Sequence, residues 1–150
     1  MTLSFKWSRL ESFTALELHS VLMAREAVFV VEQRCAYQDA DHLDAHAWHL
    51  RLHQDGELAA YARVVDAGYK FPQPSIGRVL TVAAFRGCSI GRTLMQEAIR
   101  FTELHHPHAG IQISAQAYLE RFYASLGFET VGAPYDEDGI PHVGMVKPAL

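Results

Sequence analysis

The sequence predicts an α+β fold built around one sheet, and three observations predict it. Short apolar segments of strand length recur beside the turn signals Asp55-Gly56 and Asp138-Gly139, pairs that tolerate the positive φ angles of tight hairpins. Two longer segments, one after Thr14 and one after Arg86-Gly87, switch to helical spacing. The 150 residues, about half of them apolar, suffice for one core and are short for two, so a single domain over residues 1–150 is expected.

Taken in order, Leu3 to Trp7 alternates apolar and polar residues as a strand does. Thr14 and Glu17 then form a capping box ahead of Leu18, Val21, Leu22, Arg25 and Val28 at helical spacing. The stretch EQRCAYQDADHLDA has crowded aspartates and no period, and reads as a loop. Trp48–His53 and Leu58–Val65 flank Asp55-Gly56 as a hairpin, and Ile76, Val79, Leu80 and Val82 form a third strand that runs into Arg86-Gly87. In the helix that follows, Leu94, Met95, Ala98, Ile99 and Thr102 face one way and Gln96, Glu97, Arg100 and Glu103 the other. His106-Pro107 ends it. A strand Ile111–Gln116, a short helix around Leu119–Leu126 stopped by Gly127, a strand from Phe128 and a last strand around Val143–Val146 complete the chain.

Composition excludes several classes of function. A formal charge of −4 with scattered Lys and Arg leaves no basic stripe for nucleic acid. No apolar run approaches the roughly 18 residues that span a bilayer, and MTLSFKWSRLESF lacks a signal-peptide core. The expectation is a cytoplasmic protein with no nucleic-acid or membrane partner. Cys35 and Cys88 lie far apart in no CxxC pattern, signalling neither a disulfide framework nor a zinc cage. Nine histidines raise the question of metal, with His42, His46 and His49 near Asp41 and Asp44. Without HExxH or a Cys/His cage, no metal is assigned.

The run Arg86-Gly87-Cys88-Ser89-Ile90-Gly91 joins a strand to a helix. Such a junction turns several backbone N–H groups into one concavity at the positive end of a helix dipole, which suits a phosphate. Gly87 and Gly91 permit close approach, while Arg86 and Arg92 add charge. It is neither a Walker loop, which needs Gly-Lys-Ser/Thr, nor a GxGxxG dinucleotide fingerprint.

Around this turn, IGRVLTVAAFRGCSIGRTL (Ile76–Leu94) resembles motif A of the GNAT acetyltransferases, whose core is Arg/Gln-x-x-Gly-x-Gly/Ala, and AYLERFYASLGF (Ala117–Phe128) resembles their motif B. AREAVFVVEQRCAYQDAD, ELAAYARV and YDEDGIPHVGM are similar to the bacterial ElaA branch of that superfamily. The resemblance implies the GNAT fold, a central mixed, mostly antiparallel, splayed sheet flanked by helices. It also implies acetyl transfer from acetyl-CoA, as co-substrate, to a primary amine attacking directly in a ternary complex. Leu80, Thr81 and Val82 would then pair with the pantetheine arm, and Arg86, Gly87, Cys88, Ser89, Ile90, Gly91 and Arg92 would hold the pyrophosphate. One position departs from the pattern: the family glycine falls at Ser89, which carries strain if φ there is positive.

Tyr123, in Phe122-Tyr123-x-x-x-Gly127-Phe128, matches the family tyrosine that faces the departing sulfur. Its phenol titrates above a thiol, so hydrogen bonding to the developing thiolate is expected rather than full proton transfer. The attacking amine must lose a proton, and the base candidates are Glu32, His49 and His142, Glu32 because an apolar run precedes it and burial would raise its pKa. Asp136, Glu137 and Asp138 read first as a solvated turn and second as an attraction for a cationic amine. The competing reading is a CoA-binding module that senses acyl-CoA without turnover, favoured by Ser89 and disfavoured by Tyr123. The acceptor's identity and the oligomeric state, a dimer included, stay open.

Overall fold

The computed structural model describes residues 1–150. Strand β1 (Leu3–Arg9) leads to helix α1 (Ala15–Arg25), where the Glu17 N–H donates to Thr14 Oγ1 at 3.1 Å and the Thr14 N–H to Glu17 at 2.9 Å, the expected capping box. The helix then widens into a π-helical turn, Glu26–Glu32. Within the stretch read as a loop, Asp41 caps a short 3-10 turn, His42–His46. Strands β2 (Ala47–Gln54), β3 (Glu57–Val65) and β4 (Ser75–Thr81) precede helix α2 (Ile90–His105). Strand β5 (Ile111–Gln116), helix α3 (Glu120–Ala124) and strands β6 (Glu129–Glu137) and β7 (Ile140–Lys147) follow. No helix is long and apolar enough to cross a membrane.

The strands form two antiparallel sheets, β1-β2-β3-β4 and β5-β7-β6, rather than one continuous ladder. Where β4 and β5 begin, the Gln112 N–H donates to the Pro74 carbonyl at 3.1 Å; no ladder joins these strands further along. The sheet therefore splays between β4 and β5.

Strand β3 shows why both faces of the larger sheet matter. Ala60, Ala62 and Val64 join Leu50 and Leu52 of β2 in the main core, against Leu94, Met95 and Ala98 of α2. The alternate side chains point the other way, as the period of two dictates. Tyr61 there packs with Val21 of α1, Phe29 of the π-helical turn and Leu80 of β4. This second face also receives the polar residues His49 and Arg63, each no more than 2 % exposed. Charged groups so deep need partners, and the segment following α1 supplies them.

Candidate functional site

A cleft of about 830 Å³ lies between β4 and β5, walled by Val28, Phe29 and Glu32 of the π-helical turn and by Phe122 and Tyr123 of α3. A recess of about 330 Å³ at the turn before α2 shares Thr81, Arg86, Gly91 and Phe122 with it. The two hollows thus form one path from the turn to the interior.

In that turn Gly87 has φ 87° and Ser89 has φ 60°, ψ 19°. The N–H groups of Gly87, Cys88 and Ser89 donate to no protein acceptor, and Ile90, Gly91 and Arg92 occupy the first turn of α2, where N–H groups lack an intrahelical acceptor. A Cβ on Gly91 would meet only Thr81 Oγ1, at 3.5 Å, so the space beyond it is left open by the protein. Ser89 sits in the left-handed region, so the strain expected from a serine at this position is present. Ser89→Gly is expected to stabilise the fold by up to about 1 kcal/mol, the left-handed cost to a side chain less the greater freedom of an unfolded glycine. Thermal denaturation reads this as a Tm higher by roughly 3 °C; no rise would mean the turn holds serine without strain.

The arginines of the turn are already engaged. Arg86 forms a two-pronged pair with Glu32, Nη1 at 3.0 Å and Nη2 at 2.9 Å, while its Nε donates to the Thr81 carbonyl at 3.1 Å. Arg92 donates to Ser125 Oγ at 2.9 Å and lies over the Phe122 ring. Of the three residues expected to meet a pantetheine arm, Leu80 and Thr81, at the end of β4, line the cleft. Val82, just beyond β4, does not, and its N–H donates to the Ala59 carbonyl at 2.8 Å.

Tyr123 is 6 % exposed and lines the cleft, and no protein group hydrogen-bonds its hydroxyl. Burial, with a smaller contribution from Tyr118, pushes its pKa up to about 12. A phenol that weak holds its proton and donates a hydrogen bond rather than transferring it.

The three base candidates part company. Glu32 is exposed, its side chain 46 % accessible, so the burial expected for it is absent and its carboxylate faces Arg86. His49 is buried on the α1 side of the sheet, between the Tyr61 hydroxyl at 2.6 Å and the Asp44 carbonyl at 2.9 Å, and does not line the cleft. Its pKa is lowered by burial, and it is a satisfied core ring. His142 does line the cleft: Nδ1 is 2.7 Å from the Ile140 carbonyl and Nε2 is 3.1 Å from Glu137. Glu137 is therefore a half-buried partner of His142 and not part of a solvated turn, while Asp136 accepts the Gly139 N–H at 3.0 Å. Of the histidines near Asp41, His46 stacks on Tyr69 and His49 is held as above, and no three His, Cys, Asp or Glu side chains are arranged to hold a metal ion.

Sequence reasoning missed what the aspartates of the 39–44 stretch do. Arg25 pairs with Asp39 and Asp44, each at 2.7 Å, and Arg63 with Asp41 at 2.6 Å and Asp44 at 2.9 Å. Arg78 lies 2.9 Å from Asp39 and 3.3 Å from Asp41, its guanidinium over the Tyr37 ring. Three arginines and three aspartates balance. Arg78 has φ 48°, and the β3–β4 register slips there: Tyr61 opposes Leu80, but Arg63 opposes Gly77, leaving an extra β4 residue. The network thus pins a bulge on the strand that floors the cleft. A usable signal existed, since Arg25 falls on the apolar face of α1 and Arg63 inside an apolar strand.

A family model for the acetyltransferase (GNAT) domain matches residues 15–149. Protein ElaA of Escherichia coli strain K12 is 40% identical over 136 residues, covering 89% of each chain. Among solved structures, an acyl-CoA N-acyltransferase from Pseudomonas aeruginosa is similar with a TM-score of 0.91 at 38% identity, covering 97% of this chain and 99% of that one. The crystal structure of Escherichia coli ElaA gives 0.90 at 36%, with the same coverage.

Proposed function

We propose that this chain, which belongs to the GNAT acetyltransferase family, moves an acetyl group from acetyl-CoA directly to a primary amine. Membership implies acyl transfer from an acyl-CoA to an amine acceptor; the choice of acetyl and of a primary amine is our reading. The observation that supports it is the unbroken path from the unpartnered N–H groups of the turn, past Thr81, to the Tyr123 hydroxyl. A pyrophosphate at the turn places a thioester in the opening between β4 and β5.

The amine nitrogen attacks the thioester carbon, an N–C bond forms, and the C–S bond breaks with its electron pair leaving on sulfur. Tyr123 donates a hydrogen bond to that sulfur, a stabilisation realised only as the charge develops. The proton lost by the amine passes to His142 Nε2, whose other ring nitrogen is held by the Ile140 carbonyl and whose neighbour Glu137 stabilises the imidazolium. Neither cysteine is required as a nucleophile.

Incubation with acetyl-CoA and a panel of amines, monitored for free thiol, tests the reading. Release with at least one amine is expected. Acetyl-CoA binding with no release across the panel would favour the sensing module instead. Glu32 competes with the pyrophosphate for Arg86 in this scheme. Glu32→Gln is accordingly expected to lower the acetyl-CoA Kd several-fold in calorimetry, a charged competitor being exchanged for a neutral one. A weaker Kd would mean that Glu32 positions Arg86 for the phosphate rather than withholding it.

A further inference from the structure

The charges facing the cleft are almost all paired, and the one cation left over sits on the side away from the turn. Arg63 and Arg78 are held by Asp41 and its neighbours, and Arg86 by Glu32. Among the acids, Glu32 and Asp41 are bound by those same arginines, Glu137 faces His142, and Asp138 stands at the exposed tip of the β6–β7 turn. Lys70 also lines the cleft; its ammonium lies over the Phe71 ring, 5.6 Å from the centroid, and is in no ion pair within the protein. Glu32, Asp41 and Glu137 are thus engaged within the protein, and the cleft-lining charges in no ion pair are Lys70 and, at the exposed turn, Asp138.

Lys70 is not a loosely tethered surface residue. The connection that carries it is closed by the Gly68 N–H donating to the Phe71 carbonyl at 2.7 Å, with Gly68 at φ 89°. Next to it, the Tyr69 ring stacks on His46 at 4.0 Å. The side chain remains open to solvent, yet its ammonium lies among protein groups on the cleft side. Crowding by the protein is the largest influence on its pKa and lowers it; Glu137 opposes that shift, while Arg63 and Arg78 add to it. A cation so placed gains most from an anion arriving with the substrate.

We propose that the acceptor carries a carboxylate as well as its amine, and that Lys70 binds this carboxylate in the half of the cleft that faces Glu137 and His142. The proposal rests on the acetyl-transfer reading. It names the acceptor class: amino acids, or peptides presenting a carboxylate near the reacting amine, in preference to polyamines or uncharged amines. The carboxylate on Lys70 fixes one end of the acceptor, so that its amine reaches the thioester beside Tyr123. A single ion pair in a half-open cleft sets discrimination at about one order of magnitude.

The test compares a panel of α-amino acids with their α-amides and with polyamines, in the wild-type protein, Lys70→Gln and Lys70→Arg, by thiol release. The acids are expected to have kcat/KM about tenfold above the amides in the wild type, carried by KM. That preference is expected to collapse in Lys70→Gln and to survive in Lys70→Arg. A parallel arm without turnover measures binding of N-acetyl amino acids and their N-acetyl amides to the CoA-saturated protein by calorimetry. The acids should bind more tightly, and Lys70→Gln should abolish the difference. Equal use of acids and amides, a preference for polyamines, or a preference unchanged in Lys70→Gln would overturn the proposal. Thiol release from no amine at all would instead defeat the acetyl-transfer reading, and the binding arm would still decide the sign of the site.

Discussion

Arg25→Ala is expected to destabilise the fold by about 3–5 kcal/mol, the loss measured when one partner of a buried ion pair is removed. For a chain of this size that is a fall in Tm of roughly 10 °C. Arg25 is 1 % exposed and is the arginine that joins Asp39 to Asp44; without it, both carboxylates stay buried beside fewer cations. The same network makes an acid-side prediction. Burial alone would raise the Asp44 carboxyl, but Arg25 and Arg63 outweigh it and hold it at about 2, below its ordinary value of 3.8. A carboxyl depressed in the folded state stabilises above its unfolded pKa, and that stabilisation is lost as pH falls through the folded value. Wild-type stability should therefore decline between about pH 4 and pH 2, and chemical denaturation across that range should show a weaker dependence in Arg25→Ala, where of the two arginines only Arg63 is left to hold Asp44 down. Equal Tm values for the two proteins would show that the pocket repacks without cost.

Tyr123→Phe is expected to lower kcat about a hundredfold, as for loss of one donor aimed at developing charge. The KM for acetyl-CoA should change little, since the turn proposed to hold the pyrophosphate borders the recess before α2, which Tyr123 does not line. The phenol held at about 12 also predicts that any alkaline limb of a pH–rate profile in the working range belongs to another group, because Tyr123 keeps its proton throughout that range. For Tyr123 to hand its proton to a thiolate near 8.5 costs about 5 kcal/mol, which leaves hydrogen bonding as its role. Unchanged kcat in Tyr123→Phe would remove the tyrosine from the reaction.

Legibility from sequence followed the range of the interactions. The capping box at Thr14, the Asp55-Gly56 hairpin, β5 and the face of α2 are set by neighbours a few residues apart, and each stands where its pattern put it. The turn before α2 was equally readable, down to the strain at Ser89. Two of the three base candidates were not. The apolar run before Glu32 points to burial, but the side chain reaches out to Arg86, 54 residues away, and His49 is kept from the cleft by its place on β2, one strand further from the opening than β3, where it meets Tyr61. The short α3 also fell inside its expected span, with a 3-10 turn over Ala117–Leu119 taking part of it.

By itself the sequence determined the class of fold, the strand-turn-helix junction at Arg86–Gly91 and the place of Tyr123 on α3, because glycine conformations, helix caps and residue periods are local properties that survive any packing. Tertiary structure alone decided three things: that the sheet parts between β4 and β5, that the aspartates of the 39–44 stretch turn inward to brace the bulge at Arg78, and that Lys70 is left without an ion-pair partner. These depend on which charges meet across long separations in sequence. Burial makes such meetings energetically decisive, and no local pattern encodes them.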